Sequence, residues 1–141
     1  MFRMAGKIMR LAVCGALLMS GGAAFALSPA GTMSALRQLE KGQWELRQRG
    51  AGTTSAAPRR ICVVNPSQLL QVKHGEGGCS RFIVADTPQR AVVTYQCEGR
   101  GGGRTDLRVE TPRLVQINVQ GVANGAPFVE AIEARRTGAC H

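Results

Sequence analysis

The sequence predicts a single, mainly β domain: an antiparallel meander curled into a small barrel or sandwich, with one or two short helices and stabilising disulfides. Three observations lead to this prediction. About seven short segments alternate apolar and polar residues, as strands with one buried and one solvent-facing side do. Turn-forming residues separate these segments at short intervals. Four cysteines follow an N-terminal segment that has the composition of an export signal. At 141 residues, the chain has room for one domain.

The first 26 residues have the three parts of a secretory signal peptide. The start is basic, a short apolar stretch runs from Leu11 to Met19, and small residues lead to Ala24-Phe25-Ala26. We expect cleavage after Ala26, with cleavage after Ala24 as the alternative. The expected product is a periplasmic protein with one β-rich domain over 27–141. A spanning helix is disfavoured because no apolar run reaches the roughly 18 residues that it needs.

The expected mature domain contains four cysteines, Cys62, Cys79, Cys97 and Cys140. An even number in an exported domain of this size predicts two disulfides. A metal site is disfavoured because such sites use short C-x2-C spacings, whereas these cysteines are 17, 18 and 43 residues apart. Three pairings are open, and we favour Cys62–Cys79 with Cys97–Cys140, in chain order. Cys14 falls inside the apolar stretch behind a valine, which disfavours a lipid anchor.

One or two short helices are predicted, from two candidate segments. The first lies within 27–41, where apolar residues recur at a spacing of three, and it ends at Gly42. These apolar residues are Met33, Leu36 and Leu39, and the candidate caps are Thr32 and Ser34. Asn65 as a cap and Pro66 at the first position predict the second helix, which ends before Gly75. Its buried side is expected to consist of Leu69, Leu70 and Val72.

The strands are predicted from alternation and from the turns between them. In chain order they are 43–49, 60–64, 81–85, 91–97, 105–110, 114–120 and 128–136. Asp86 to Gln89 forms a turn, and Asn124-Gly125 is a strong hairpin signal. Because side chains alternate along a strand, one face is expected to carry Val93, Tyr95 and Cys97. By the same alternation, the buried side of 114–120 is expected to carry Val115, Ile117 and Val119.

Short motifs at both ends of the domain resemble one family. Leu39 to Glu45 contains Gly-x-Trp-Glu, with Gln43 where an apolar residue is more usual, and Arg135 to Cys140 ends in Gly-x-Cys. With the central cysteines, these motifs resemble the exported bacterial family DUF3617 over roughly residues 36–141. The resemblance implies a periplasmic protein of Gram-negative bacteria. It implies no reaction.

The segment Gly99 to Arg104 has two readings. Backbone amides of glycine-rich turns bind anions, and Arg100 and Arg104 would add donors. The segment lacks the Lys-Ser/Thr of a phosphate-binding loop and is expected to join two strands, which favours a flexible hairpin loop. Trp44, the single tryptophan, is expected to anchor the core, with ligand stacking in a barrel mouth as the alternative.

The charge balance favours anionic partners. Removing Arg3, Lys7 and Arg10 with the signal peptide leaves 15 basic and 9 acidic residues, a net charge of +6. Such a domain attracts anionic surfaces. Nucleic acid is disfavoured for two reasons: it is not an expected partner in the periplasm, and the aromatic residues that would stack on bases are scarce. A solvated, arginine-rich exterior is the simplest interpretation.

The sequence predicts a noncatalytic exported protein that acts as a small β binding module or in the envelope, without cofactor or metal. Its partner would be a small ligand in the barrel mouth or an anionic envelope surface. A small periplasmic enzyme is the alternative, and it requires His74, Glu76 and Asp86 to converge in one cleft.

Overall fold

The structure is a computed structural model that describes residues 33–50, 56–75 and 77–141. The predicted signal peptide with Ala24, Ala26 and Cys14 lies outside the described residues, as do the candidate cap Thr32 and the candidate acid Glu76. Within the described ranges, no helix has the length and apolar character required to cross a membrane.

Seven antiparallel strands form one sheet. They are β1 (Gly42–Gln48), β2 (Arg59–Val63), β3 (Cys79–Thr87), β4 (Arg90–Cys97), β5 (Gly101–Thr111), β6 (Leu114–Ala123) and β7 (Ala126–Gly138). Their order across the sheet is β2-β1-β7-β6-β5-β4-β3. Strands β3 to β7 form the predicted meander, and the β1–β2 hairpin extends it through pairing of β1 with β7. The prediction of a mainly β, antiparallel domain is confirmed.

The sheet does not close into a barrel, and no second sheet faces it among the described residues, which corrects that part of the prediction. β2 and β3 are the two edges. One face is covered by helix α1 (Ser34–Arg37) and a 3₁₀ helix (Pro66–Leu70), and we call this the inner face and the opposite one the outer face. The two helical segments supply the apolar layer that closure would otherwise provide.

The core lies between the inner face and these helical segments. The alternation predicted for β4 and β6 is confirmed, because their inner-face residues are buried: Val93, Tyr95, Cys97, Val115, Ile117 and Val119. The apolar residues predicted for the helical segments are buried as well: Met33, Leu36, Leu39, Leu69, Leu70 and Val72. These side chains fill the space over the sheet.

The second helical segment begins as predicted. Asn65 accepts a hydrogen bond from the Ser67 amide at 3.0 Å, Gln68 completes a capping box, and Pro66 occupies the first turn. The segment is a 3₁₀ helix that ends at Leu70, shorter than expected. In α1 the N-cap position is occupied by Met33, so the predicted cap Ser34 is instead the first helical residue, and its amide donates to Asp86 Oδ1 at 2.7 Å.

The glycine-rich segment is mostly strand, which corrects the predicted turn over Gly99–Arg104. Strand β5 begins at Gly101, and Gly102 and Gly103 pair with Gln96 and Tyr95 of β4. Only the first part of the segment remains a turn. The predicted hairpin at Asn124-Gly125 is confirmed, since both residues have positive φ angles, 51° and 79°.

The two disulfides join Cys62 to Cys140 and Cys79 to Cys97. The favoured pairing, Cys62–Cys79 with Cys97–Cys140, is therefore wrong. The reason is the sheet order, because Cys79 on β3 lies directly opposite Cys97 on β4, and both face inward. Cys62 lies on β2, at the other edge, beside the end of the chain that follows β7. Pairing in chain order would have required a bond across the width of the sheet.

Candidate functional site

Trp44 is a core residue. Its side chain is fully buried on the inner face of β1, and its indole Nε1 donates to the Glu40 carbonyl at 3.0 Å. A ring that is enclosed on all sides is not available to stack on a ligand. The predicted core role is confirmed, and the alternative of ligand stacking in a barrel mouth is wrong.

His74 joins the loop after the 3₁₀ helix to the sheet. Its Nε2 lies 3.0 Å from the Val122 carbonyl, which can only accept, so Nε2 is the donor. In the neutral imidazole, Nδ1 then accepts from the Tyr95 hydroxyl at 2.9 Å. Burial, followed by the charge of Glu130, raises the pKa of Tyr95, which keeps this hydroxyl protonated. Both imidazole nitrogens are thus engaged in structural contacts.

His74 and Asp86 are not brought together. His74 bonds to Tyr95, whereas Asp86 pairs with Ala91 at the other end of β4. These two positions on β4 are separated by about 13 Å at about 3.3 Å per residue. Asp86 also accepts from the Ser34 amide at 2.7 Å. The cleft that the enzyme alternative requires is not formed by these two residues.

Arg100 is a structural residue and not an open ligand contact. Its Nη1 donates to the His74 carbonyl at 2.7 Å, and its Nη2 donates to the Gly77 carbonyl. Nη2 also lies 3.6 Å from Cys79 Sγ. The guanidinium group holds His74 and Gly77 beside the Cys79–Cys97 disulfide, which corrects the sequence-based assignment.

Most arginines of the outer face are paired with acids. The outer-face pairs are Arg47 and Arg60 with Glu45, Arg90 with Asp106, Arg108 with Glu110, and Arg135 with Glu133. The hydrogen bond from Arg47 lowers the pKa of Glu45, and the hydrogen bond from Arg90 lowers the pKa of Asp106. The exterior is therefore rich in arginine without being uniformly basic.

Arg104 differs from these paired arginines. It is exposed at the centre of the outer face and makes no hydrogen bond or ion pair with any residue in the described ranges. Its charge contributes to lowering the pKa of Asp106, after the larger effect of Arg90, which holds that carboxylate. The guanidinium donors of Arg104 remain open to a partner.

Arg104 lies in the middle of a row that crosses five strands. Each member pairs directly with the next, in the order Phe82, Thr94, Arg104, Gln120 and Val129. At about 4.8 Å between strands, the row is about 19 Å long. Its apolar ends are open to solvent, with Phe82 71% and Val129 82% exposed. The row thus presents a cation between two protruding apolar side chains.

The neighbouring row of outer-face residues adds further exposed apolar side chains. It runs in register through Ser80, Gln96, Gly102, Val122 and Pro127. Val122 is 43% exposed and lies opposite the exposed Pro127, beside Val129. Neither row contains an acidic residue. We call the two rows together the Arg104 surface.

A shallow groove runs beside Arg104 on this face. Its volume is about 240 Å³, and the outer-face side chains that line it are Arg104, Asp106, Asn118, Gln120, Val129 and Ala131. Asp106 in the next row is paired with Arg90, and Glu130, which also lines the groove, is paired with Lys73. Arg104 is therefore the charged residue of the lining that has no ion-pair partner in the described ranges. An anionic group is the ligand chemistry that this lining favours.

Among the three candidate ligand contacts from the sequence, only Arg104 is available. It belongs to a strand and not to an anion-binding loop. Sequence reasoning missed Phe82 and Val129, because their alignment with Arg104 depends on the register of four strand pairs. Alternation does not assign Phe82 to either face, because residues 82–85 form an uninterrupted apolar run.

Comparisons of the chain with protein-family models, with curated proteins and with solved structures found no match.

Proposed function

We propose that this protein is an exported, noncatalytic module that associates with anionic lipid surfaces of the bacterial envelope through the Arg104 surface. The observation that carries the proposal is the unpaired Arg104 between the exposed side chains of Phe82 and Val129, in two rows of residues that contain no acid. Export rests on the predicted signal peptide, and the resemblance to DUF3617 is compatible with it.

The chemistry of the surface favours a membrane interface. Peripheral proteins bind there through apolar side chains that enter the headgroup region, together with cations that meet lipid phosphates. Phe82 and Val129 provide the first contribution and Arg104 the second. The expected net charge of +6 adds long-range attraction to an anionic surface.

The test is cosedimentation of the exported protein with vesicles. We expect binding to vesicles of phosphatidylglycerol and phosphatidylcholine, little binding to phosphatidylcholine alone, and weaker binding as salt is added. Equal binding to both vesicle types, or binding that salt leaves unchanged, would contradict the proposal. Binding of free glycerol phosphate without vesicle binding would instead indicate a small-ligand site in the groove.

Matched variants locate the contact. Phe82→Ser and Val129→Ser remove apolar side chains from the Arg104 surface, whereas Val64→Ser removes one that is 60% exposed elsewhere. We expect each of the first two to weaken vesicle binding by roughly tenfold, the equivalent of about 1.4 kcal/mol of apolar burial. Val64→Ser should bind as the unchanged protein does.

Export is tested independently. N-terminal sequencing of protein recovered from the periplasm should begin at Leu27, or at Phe25 if cleavage follows Ala24. Recovery of the intact chain from the cytosol would contradict the export prediction.

A further inference from the structure

The edge strand β3 carries an exposed apolar run. Phe82, Ile83 and Val84 are 71%, 38% and 45% exposed, and within the described part of the chain β3 pairs on one side only, with β4. A strand edge of this kind offers unpaired backbone amides and carbonyls beside apolar side chains, and it readily pairs with another strand. Isolated exposed apolar residues need no partner, whereas contiguous exposed ones mark interaction sites.

The opposite edge is protected. Strand β2 begins with Arg59 and Arg60, both exposed, and Pro58 precedes them. Charged residues and proline at an edge discourage pairing with another chain. Between Arg81 and Asp86, β3 has no charge and no proline. Any additional strand is therefore favoured at β3 and disfavoured at β2.

The sequence of β3 is complementary to itself in antiparallel orientation. Aligning Ile83 with Val84 of a second copy places Phe82 opposite Ala85 and Arg81 opposite Asp86. A basic and an acidic residue thus meet at each end of the apolar run. The pairing is the same from both copies, as a two-fold interface requires.

A β-bulge in β3 allows residues that lie opposite each other in the two copies to have their side chains on the same face of the joined sheet. The register of β3 against β4 shifts between Ile83 and Ala85, so that one extra residue is accommodated. Arg81 pairs with Tyr95 and Asp86 with Ala91, both inner-face residues of β4. Without the bulge, Arg81 and Asp86 would lie on opposite faces. With it, each basic residue shares a face with the acidic residue of the second copy.

We propose that two copies of this chain associate through their β3 strands, forming one continuous antiparallel sheet. This inference goes beyond the proposed function and does not depend on it. Assembly stops at two copies, because the charged β2 edges, which discourage pairing, lie at the two far ends of the joined sheet. It places the Arg104 surfaces of the two copies side by side on one outer face.

The test is sedimentation equilibrium of the exported protein in the absence of lipid. We expect a concentration-dependent dimer. Val84→Lys should weaken association by roughly tenfold or more, because an ammonium group would be buried in the interface. The control Val64→Lys introduces the same charge at another exposed valine and should dimerise normally. If Val84→Lys does not fold, Phe82→Lys replaces it, since that side chain is 71% exposed.

Hydrogen exchange identifies the strand involved. Amides of 79–87 should become more protected as the concentration rises through the dimer range, and those of β2 should not. A monomer at all concentrations, a dimer that Val84→Lys leaves intact, or new protection confined to another strand would each overturn the inference. Because no lipid is present, these outcomes are independent of vesicle binding.

Discussion

The Tyr95 ring lies over Gly103, the residue directly opposite it on β5. A Cβ atom on Gly103 would lie 3.0 Å from the Tyr95 hydroxyl oxygen and 2.7 Å from the Gln120 carbonyl oxygen. The missing side chain leaves room for the tyrosine, whose hydroxyl then reaches His74 at 2.9 Å. Covering a strand glycine with a cross-strand aromatic ring is a known means of stabilising a sheet. The glycine-rich segment therefore has a packing role.

Gly103→Ala should destabilise the protein by about 1–3 kcal/mol, as overpacking of a filled site does. Gly138→Ala is the matched control, because no atom lies within 4 Å of its added Cβ and its φ is not positive. The measurement is urea unfolding of both variants. Equal stability of the two variants would show that Tyr95 does not need the space over Gly103.

Trp44→Ala should lower the free energy of unfolding by about 3–5 kcal/mol, the usual loss for a large buried aromatic side chain. Val64→Ala, at a position that is 60% exposed, should change it by less than about 0.5 kcal/mol. Urea denaturation measures both. A loss below about 1 kcal/mol for Trp44→Ala would contradict the core role of Trp44.

Peptide mapping under non-reducing conditions should recover Cys62 linked to Cys140 and Cys79 linked to Cys97. The protein should be purified without reductant, with free thiols blocked before digestion. Recovery of Cys62 linked to Cys79 would contradict the order of strands in the sheet, because these two residues lie at opposite edges.

The Arg90–Asp106 pair should make stability depend on acidity. The hydrogen bond from Arg90, with the charges of Arg90 and Arg104, lowers the pKa of Asp106 below its usual 3.8 in the folded protein. The contribution of the Asp106 carboxylate to the free energy of unfolding is therefore fully present above the pKa of Asp106 in the unfolded chain. It is lost as the pH falls through the lower pKa of the folded protein. Asp106→Asn removes this contribution.

Urea unfolding of the unchanged protein and of Asp106→Asn should be compared from pH 7 down to about pH 2, which lies below the usual carboxyl range. We expect the stability difference between them to be constant near neutral pH and to shrink in acid. A stability difference that stays constant over the whole pH range would mean that Arg90 does not stabilise the ionised form of Asp106.

The strands and the core were largely predictable, because their signals are local. Alternation placed Val115, Ile117 and Val119 on the buried side, and Asn124-Gly125 marked its hairpin. The start of β5 was missed, because consecutive glycines usually indicate a turn. Here, contacts with Tyr95 on the neighbouring strand override that local preference.

Disulfide pairing and the candidate surface were not predictable, because both depend on the order and register of strands distant in sequence. Nothing local shows that Cys79 faces Cys97, or that Phe82, Arg104 and Val129 fall in one row. The sequence also did not show whether the sheet closes. Closure depends on how much of the inner face the two helical segments cover.

The most direct test of the central claim compares Arg104→Gln with Arg113→Gln in binding to vesicles of phosphatidylglycerol and phosphatidylcholine. Both variants lose one exposed arginine, but Arg113 lies at the β5–β6 turn, about 23 Å along β5 from Arg104 at about 3.3 Å per residue. A cation at the lipid surface contributes about 1 kcal/mol, and this contribution is screened within about 10 Å. We therefore predict that Arg104→Gln weakens binding about fivefold and that Arg113→Gln has a small effect. An equal loss for the two variants, or no loss for Arg104→Gln, would contradict the account.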